Sequence, residues 1–310
     1  VIASGDYAAD DEMFQYYSPM TAYAMDGRFY NPPDCDTGDM HKQAIWAGAA
    51  MQKSEPHAAV MHLDFGAASY GFLHVNWEGK RFKNEDVNTQ SKSVTKALQT
   101  QKDAWTIYDS HGLEQVKAQM DAGLGGGLQW GQLTQPVGGE YNLEAQKIVL
   151  EGEIESGQTV QANSLKELAQ KMGVPPENLV ATVDRYNELC DAGFDADFGK
   201  QAKYLKKIEK APYWGIHKHV RVSALCAGAT VNENYQATRG VGGEVIPNLW
   251  VTGFSAGQLC GAPDWSMYQG GMSAGHCIMT GRICGIQAAT GGKLEASTPI
   301  TEADVAAISA

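Results

Sequence analysis

Two adjacent glycines, Gly270 and Gly271, stand directly before an apolar stretch that is rich in small residues and predicted to form a helix through about Ala289. A helix start offers unpaired N–H groups and the positive end of the helix dipole. Glycine there lets a bound group approach the backbone closely. The pattern favours a site for a phosphate, a carboxylate or the N1–C2=O edge of a flavin, although a helix that merely packs tightly on a sheet needs the same small residues.

The loop before these glycines carries side chains that can take part in catalysis. Tyr268 has a phenol that can polarise a carbonyl or transfer a proton. Trp265 offers a flat apolar wall to a ring, and Asp264 is either an acid–base group or a loop cap. Residue type alone leaves a second interpretation open, in which Tyr268 and Trp265 only pack the loop.

A second group of candidate side chains follows at the boundary of a predicted strand. His217 and His219 are two residues apart, which places both imidazoles on one face of a strand. Together with Arg221 they would line a pocket, and a polar strand edge is the alternative. We expect Arg81 and Glu85 to form a hydrogen-bond network rather than a catalytic pair.

The elements that must position these residues alternate between strands and helices. Apolar runs at 1–3, 72–76, 220–225 and 249–253 predict strands, and residues 246–248 predict a turn before the last of them. Ser164 and Glu167 form a capping box, which predicts a helix that ends at Gly173. A longer helix opens at Pro175 and Pro176 and ends at Gly193. Its predicted inner face consists of Leu179, Val183, Tyr186 and Leu189.

Composition excludes several classes of protein. The 310 residues include 24 Lys and Arg against 36 Asp and Glu, a net charge of −12, which argues against nucleic-acid or anionic-membrane binding. No apolar run approaches the roughly 20 residues of a transmembrane helix. The six cysteines include no Cys-x-x-Cys pair, so we expect free thiols and no metal site.

Six motifs, in order along nearly the whole chain, resemble those of the fumarate reductase/succinate dehydrogenase flavoprotein superfamily. They are ASGDY at 3–7, TGD at 37–39 followed by AGA at 47–49, NWEGKRFKNE at 76–85, ATVDRYN at 181–187 followed by GFDADF at 193–198, IPNLWVTG at 246–253, and MYQGGMS at 267–273 followed by GRICG at 281–285.

The resemblance implies an α/β fold with an α+β cap. An FAD-binding, Rossmann-like domain would comprise residues 1–57 and 213–310, interrupted by a capping, substrate-binding domain at 58–212. The Gly-x-Gly-x-x-Gly unit that usually opens the family is absent, so the chain resembles roughly the last three-fifths of a member. We therefore expect a missing N-terminal FAD-binding half, on the same polypeptide or on a separate chain, as a partner. An electron-donor protein is a further candidate partner.

The resemblance also assigns residues to FAD, the implied cofactor. The positions carried over are Ser4, Gly5, Asp39, Gly253, Phe254, Gly270, Gly271, Met272 and Ser273. Phe254 stands where relatives often carry glutamate. The localisation stays open between the cytoplasm and the bacterial cell envelope.

The substrate positions depart from those of fumarate reductases. Thr89, Ala224 and Tyr268 occupy positions where that family places arginine, histidine and arginine. Because a dicarboxylate needs charged partners, fumarate and succinate are unfavourable substrates. The resemblance then implies hydride transfer between flavin N5 and the activated C=C bond of a bulky, uncharged or aromatic, enone-like small molecule. Reduction is the favoured direction; a ketosteroid-type dehydrogenase and a non-catalytic ligand-binding subunit are the alternatives. The catalytic candidates are Asp264, Trp265, Tyr268, His219 and Arg221.

Overall fold

The computed structural model describes residues 1–28, 35–53, 57, 59–63, 71–87, 89–123, 141–259 and 272–293, together with 299, 301–303 and 306. The helices are α1 (Asp11–Tyr17), α2 (Pro19–Ala24), α3 (Asp39–Trp46), α4 (Thr89–Ala97), α5 (Gly112–Asp121), α6 (Leu143–Ser156), α7 (Leu165–Met172), α8 (Pro176–Ala192) and α9 (Met272–Thr290). The strands are β1 (Gly27–Arg28), β2 (Ala59–Leu63), β3 (Leu73–Asn76), β4 (Ala104–Asp109), β5 (Thr159–Ala162), β6 (Tyr213–His217), β7 (Val220–Leu225), β8 (Gln236–Thr238) and β9 (Val245–Trp250).

A three-stranded sheet has β7 at its centre, parallel to β1 and antiparallel to β2. A separate pair, β8 and β9, is antiparallel. Just beyond β9, Val251 forms a parallel bridge with Ile2, so the start of the chain lies beside the end of this strand pair. The predicted strands at 1–3 and 220–225 are therefore present, the first as a single bridge.

A four-stranded antiparallel sheet in the order β3-β4-β6-β5 forms the centre of a second unit. Helices α7 and α8 pack together beside it, and the shared core includes Leu73, Ile107, Leu168, Leu179 and Val183. Both helices end at left-handed glycines, at 173 and 193, as the sequence predicts.

The predictions of α7 and α8 from local sequence signals are confirmed. Ser164 Oγ accepts a hydrogen bond from Glu167 N at 3.2 Å, which closes the N-terminal cap of α7. The predicted inner face of α8 is buried along its whole length. The turn predicted at 246–248 is wrong as a separate element, because these residues belong to β9, although Asn248 has φ +62° and the register with β8 is irregular between Val245 and Trp250.

The two sheets are joined by a short link. β6 ends at His217 in the four-stranded sheet, and β7 begins at Val220 in the three-stranded sheet. Strand pairing thus crosses both domain boundaries suggested by the sequence, since β2 pairs with β7 and β6 pairs with β4. The division at 57 and 212 stays a prediction.

Within the described ranges, none of the helices combines the length and the apolar character that crossing a bilayer requires. Five of the cysteines lie there, all as free thiols. Cys226 and Cys284 are buried and Cys35 and Cys190 half-buried, whereas Cys277 is exposed.

The expected network around Arg81 and Glu85 is present and larger than predicted. Arg81 Nε and Nη2 donate to the Glu85 carboxylate, each at 2.8 Å. Arg81 Nη1 and Nη2 also donate to Asp195, at 3.0 and 2.7 Å. Lys200 Nζ lies 3.5 Å from Glu85 Oε2. These buried charges join the hairpin after β3 to the loop that follows α8.

Candidate cofactor and substrate site

The first turn of the chain, at Ser4 and Gly5, is held against the short 3-10 helix Gly253–Ser255. Ser255 Oγ accepts a hydrogen bond from Ser4 N at 3.1 Å and donates one to the Gly5 carbonyl oxygen at 2.7 Å. This contact joins positions 250 residues apart in the sequence. It brings together two pairs of predicted cofactor contacts, Ser4 with Gly5 and Gly253 with Phe254. We call these four residues and Ser255 the ledge.

Only glycine fits at position 5. Gly5 has φ +82°, and a Cβ there would lie 1.9 Å from Asp36 Oδ1. The Asp36 carboxylate accepts a hydrogen bond from Asp6 N at 3.0 Å. The buried Asp6 carboxylate in turn accepts one from Leu225 N at 2.8 Å, at the end of β7. These contacts fix the turn of the ledge to the three-stranded sheet.

The segment that follows β7 packs against Ser255 of the ledge. A Cβ on Gly228 would lie 2.1 Å from the Ser255 carbonyl oxygen, which makes glycine necessary there. Ala229 N donates to the same oxygen at 3.0 Å. Neither Gly228 nor Ser255 is among the predicted site residues, although Ser255 directly follows the predicted contact Phe254.

Asp39, a further predicted FAD contact, is not part of the ledge. It is exposed in the first turn of α3, where its negative charge complements the helix dipole, and its Oδ2 accepts from Thr37 Oγ1 at 2.9 Å. The carboxylate beside Gly5 belongs to Asp36, which sequence reasoning missed. A cofactor contact by Asp39 stays a prediction.

Side chains of helix α9 contact Gly253 and Phe254 of the ledge. Gly253 N donates to Thr280 Oγ1 at 3.1 Å, and His276 Nε2 donates to the Gly253 carbonyl oxygen at 3.3 Å. The His276 ring lies 6.3 Å from the Phe254 ring, between centroids. Burial lowers the pKa of His276 below its ordinary value, so this ring is neutral at pH 7.

The predicted reaction centre falls on residues 260–271, which lie outside the described residues. Five predicted site residues belong to this segment: Asp264, Trp265, Tyr268, Gly270 and Gly271. Met272 opens α9 directly after it, and Ser273 follows in a half-buried position. The roles of all seven residues stay predictions.

The predicted strand through His217 and His219 is wrong, because β6 ends at His217 and His219 lies in the link before β7, but the two side chains are neighbours. Their rings meet edge to face, with 4.5 Å between centroids. His217 also stacks on Trp105 at 4.5 Å, and its Nε2 lies 2.6 Å from Asp103 Oδ1. This hydrogen bond is the main cause that lowers the pKa of Asp103. The two imidazoles therefore form a half-exposed polar cluster at the link between β6 and β7.

Arg221 and His219 lie at the opposite end of β7 from the ledge. A strand rises about 3.3 Å per residue, so Arg221 is about 13 Å along β7 from Leu225, next to the ledge, and His219 precedes the start of that strand. Arg221 lies beside β1, where a Cβ on Gly27 would come within 2.3 Å of its Nη1. Contact of these two residues with a substrate stays a prediction.

A buried group of aromatic and histidine side chains behind the ledge was missed by sequence reasoning. The Tyr7 hydroxyl hydrogen-bonds His57 Nδ1, and His57 Nε2 then donates to the Gln52 carbonyl oxygen at 2.9 Å. His41, on α3, meets the Tyr7 ring edge-on at 5.3 Å. Burial, and next His57, lowers the pKa of His41 to about 4, so His41 is neutral at pH 7. These residues stabilise the core behind Gly5.

In the part of the chain that the structure describes, no group of three or more His, Cys, Asp or Glu side chains is placed to hold a metal ion. The ledge offers other groups to a ligand: solvent-accessible backbone, a serine hydroxyl, a phenylalanine ring and the nearby Asp36 carboxylate. Such a surface suits an organic ligand with polar and aromatic parts.

The FAD-binding domain family matches residues 1–271 of this chain. Vinyl phenol reductase from Lactiplantibacillus plantarum is 27% identical over 254 residues, which cover 79% of this chain and 48% of that enzyme. NADH:acrylate oxidoreductase from Vibrio harveyi is 28% identical over 295 residues, which cover 92% of this chain and 26% of that enzyme. The chain thus spans less than half the length of each of these relatives.

The fold agrees with that of a solved dehydrogenase. The 3-ketosteroid-Δ4-(5α)-dehydrogenase from Rhodococcus jostii RHA1 superposes with a TM-score of 0.64 at 21% identity, over 93% of this chain and 52% of that one. The likeness shows a mixed α/β fold that corresponds to part of the longer chain. With the family match over residues 1–271, the chain belongs to the FAD-binding domain family of the fumarate reductase/succinate dehydrogenase flavoprotein superfamily, as its six ordered motifs predicted.

Proposed function

We propose that this chain is part of an FAD-dependent oxidoreductase that reduces an activated C=C bond. The observation that carries the proposal is the ledge. It joins the first motif of the chain to the one at 246–253, inside a region that matches the FAD-binding domain family. When bound, FAD would supply hydride transfer at N5. The residues of the chain would bind and orient the two reactants and move the proton.

The residues of the ledge fit a dinucleotide. Ser4 is exposed, and Gly5, Gly253 and Phe254 are half-buried, so a ligand can reach this backbone. Ser4 N and Gly253 N already donate to protein hydroxyls, so they hold the ledge in shape. The Ser4 hydroxyl, the Phe254 ring and the start of α9 would make the contacts with FAD. The nearby Asp36 carboxylate suits a sugar hydroxyl.

The substrate that we propose is uncharged or aromatic and enone-like. Ala224 is buried in β7 at a position where fumarate reductases place a histidine, and it offers no charge to a carboxylate. Thr89 and Tyr268 are neutral as well. The name of the vinyl phenol reductase describes an aromatic alkene, which supports the same class of substrate.

In the catalytic step that we propose, Tyr268 polarises the substrate or delivers the proton to the carbon next to the hydride acceptor. Trp265 provides an apolar wall for a ring, and Asp264 acts as an acid–base or positioning group. His219 and Arg221 line the far end of the pocket.

The domain arrangement is part of the proposal. Residues 1–57 and 213–310 would form the FAD-binding domain, with the capping domain at 58–212 between them. Helix α9 supports the idea of a complementary N-terminal half, because Ile278 and Met279 on this largely apolar helix are 72% and 60% exposed. The complementary half, on the same or another chain, would cover this side. An electron-donor protein would supply reducing equivalents.

The test is a turnover assay with the FAD-loaded protein and a chemically reduced viologen as electron donor. We expect reduction of a vinyl phenol and little or no reduction of fumarate. Tyr268→Phe should lower turnover strongly while FAD stays bound, since the ring remains and only the hydroxyl is lost. Fumarate reduced as fast as the aromatic alkene would refute the substrate class. Unchanged turnover of Tyr268→Phe would remove Tyr268 from the mechanism.

A further inference from the structure

A cavity of about 340 Å³ lies between α2, β2 and the C-terminal part of α4, away from every residue of the ledge. We call it the α2–α4 groove. Its buried wall includes Ala24 of α2 and Met61 of β2. Three large lining side chains are exposed to solvent: Met20, Tyr23 and Leu98, at 54%, 64% and 71%. The volume lies within the range of small-molecule sites, and exposed apolar side chains grouped in this way are typical of a binding surface.

The wall of the groove is apolar except for two hydroxyl groups, those of Thr21 and Tyr23. A hydrocarbon chain is therefore stabilised there by leaving water. Thr21 is only 1% exposed, and its Oγ1 has no hydrogen-bond partner among the described residues. A buried hydroxyl group without a partner is costly. The groove thus combines an apolar space with an unsatisfied polar group, which indicates a ligand that contains both hydrocarbon and oxygen.

The ammonium group of Lys102 is held at the edge of the groove. Lys102 Nζ donates to the Tyr23 carbonyl oxygen at 2.6 Å and lies 4.0 Å from the centre of the Tyr23 ring. Because Tyr23 itself lines the groove, the ammonium group is no further from it than the width of one ring. An ammonium group has three N–H donors, and the carbonyl oxygen occupies one. The others are available to an oxygen of a ligand.

The charges in the adjoining segments are already paired, whereas that of Lys102 is not. Lys96 Nζ, on α4, donates to Asp26 at 2.8 Å, and Asp103 binds His217 at 2.6 Å. In the described part of the chain, Lys102 contacts no carboxylate. A neutral hydrocarbon or an apolar helix of another protein would fill the groove but leave this ammonium group and the Thr21 hydroxyl without an oxygen. The groups present therefore favour an anionic, oxygen-containing ligand with an apolar chain.

We propose that the α2–α4 groove binds a free fatty acid of short to medium chain length. The hydrocarbon chain occupies the apolar space, and the carboxylate accepts a charge-assisted hydrogen bond from Lys102. The Thr21 hydroxyl is a further donor to the ligand. Each methylene group that the groove buries should raise the affinity about fourfold. The proposal does not depend on FAD binding, so it can fail while the proposed function holds.

The test is isothermal titration calorimetry of the whole chain at pH 7 with octanoate, hexanoate and 1-octanol. We expect octanoate to bind saturably at one site and hexanoate to bind roughly tenfold more weakly, since it has two methylene groups fewer. Lys102→Met should weaken octanoate about threefold to fivefold and leave the affinity for 1-octanol unchanged, because only the carboxylate interacts with the charge. Thr21→Val keeps the shape of the side chain and should weaken octanoate by about threefold.

Lys166→Met is the matched control, since Lys166 is exposed on α7, and it should keep the full affinity for octanoate. Lys102 is half-exposed, so its replacement leaves the core intact, and it decides the question if Thr21→Val fails to fold. A wild-type chain that does not bind octanoate saturably would overturn the proposal. It would also be overturned if Lys102→Met bound octanoate as tightly as the wild type, or lost octanoate and 1-octanol to the same extent.

Discussion

Replacing Arg81 by leucine tests whether the buried charge network holds the four-stranded unit together. The variant removes four hydrogen bonds of 2.7–3.0 Å to Glu85 and Asp195. Both carboxylate side chains have an exposed fraction of 0%, so water cannot replace the guanidinium. Lys200 remains 3.5 Å from Glu85 and offsets part of the loss. We expect a large decrease in stability.

The magnitude follows from the burial of the pair. Removing one partner of a buried ion pair costs about 3–5 kcal/mol, and the remaining lysine places Arg81→Leu near the lower end, at about 3 kcal/mol. For a unit of this size that corresponds to a decrease in melting temperature of roughly 6–12 °C. Far-UV circular dichroism during heating at pH 7 measures it.

Arg185→Leu is the matched control. Arg185 also binds a carboxylate of the same loop, Asp197, at 2.8 Å, but its side chain is 51% exposed. Because exposed ion pairs contribute little to stability, we expect almost no change in its melting temperature. Equal shifts in Arg81→Leu and Arg185→Leu, or no shift in either, would refute the reasoning that burial determines the cost.

Two further predictions concern the core behind the ledge. Gly5→Ala should lower the free energy of unfolding by roughly 2–3 kcal/mol. It places a Cβ at φ +82° and displaces the Asp36 carboxylate. Gly152→Ala, at a helical position with open space around the new Cβ, should instead raise the free energy of unfolding by up to about 1 kcal/mol. Chemical denaturation of the two variants measures both changes, and a stabilised Gly5→Ala or a destabilised Gly152→Ala would contradict the prediction. The pKa of His41 is lowered from 6.5 to about 4, so the unfolded chain takes up the proton first and stability should decrease as the pH falls from 6.5 to 4. His41→Phe should flatten that decrease, and an unchanged pH profile would contradict the assignment.

Local signals predicted the parts of the fold that depend on neighbouring residues. The cap at Ser164, the glycine ends at 173 and 193, and the buried face of α8 follow from spacing along one helix. The residues predicted as a turn at 246–248 lie inside β9, which pairs with β8 at Val245 and Trp250 on either side of them, and Asn248 keeps the left-handed φ of +62° that a turn favours.

The contacts within the site depend on residues far apart in sequence, which spacing does not reveal. The motifs named Gly5 and Gly253, but Ser255, which joins them, and Asp36, which fills the space beside Gly5, appear only in the folded chain. Likewise, nothing in the sequence marks Thr21 and Met61 as parts of one groove, because α2 and β2 come together only in the folded chain.

Equilibrium dialysis with FAD tests most directly whether the ledge binds FAD. The wild-type protein, together with the proposed complementary N-terminal half, should retain flavin with its visible absorbance bands. Phe254→Ala should weaken binding, because it removes a ring from the ledge, whereas Phe194→Ala should not, since Phe194 is 67% exposed in the loop after α8. A colourless wild-type protein that takes up no FAD, or equal affinities of the two variants, would contradict the account.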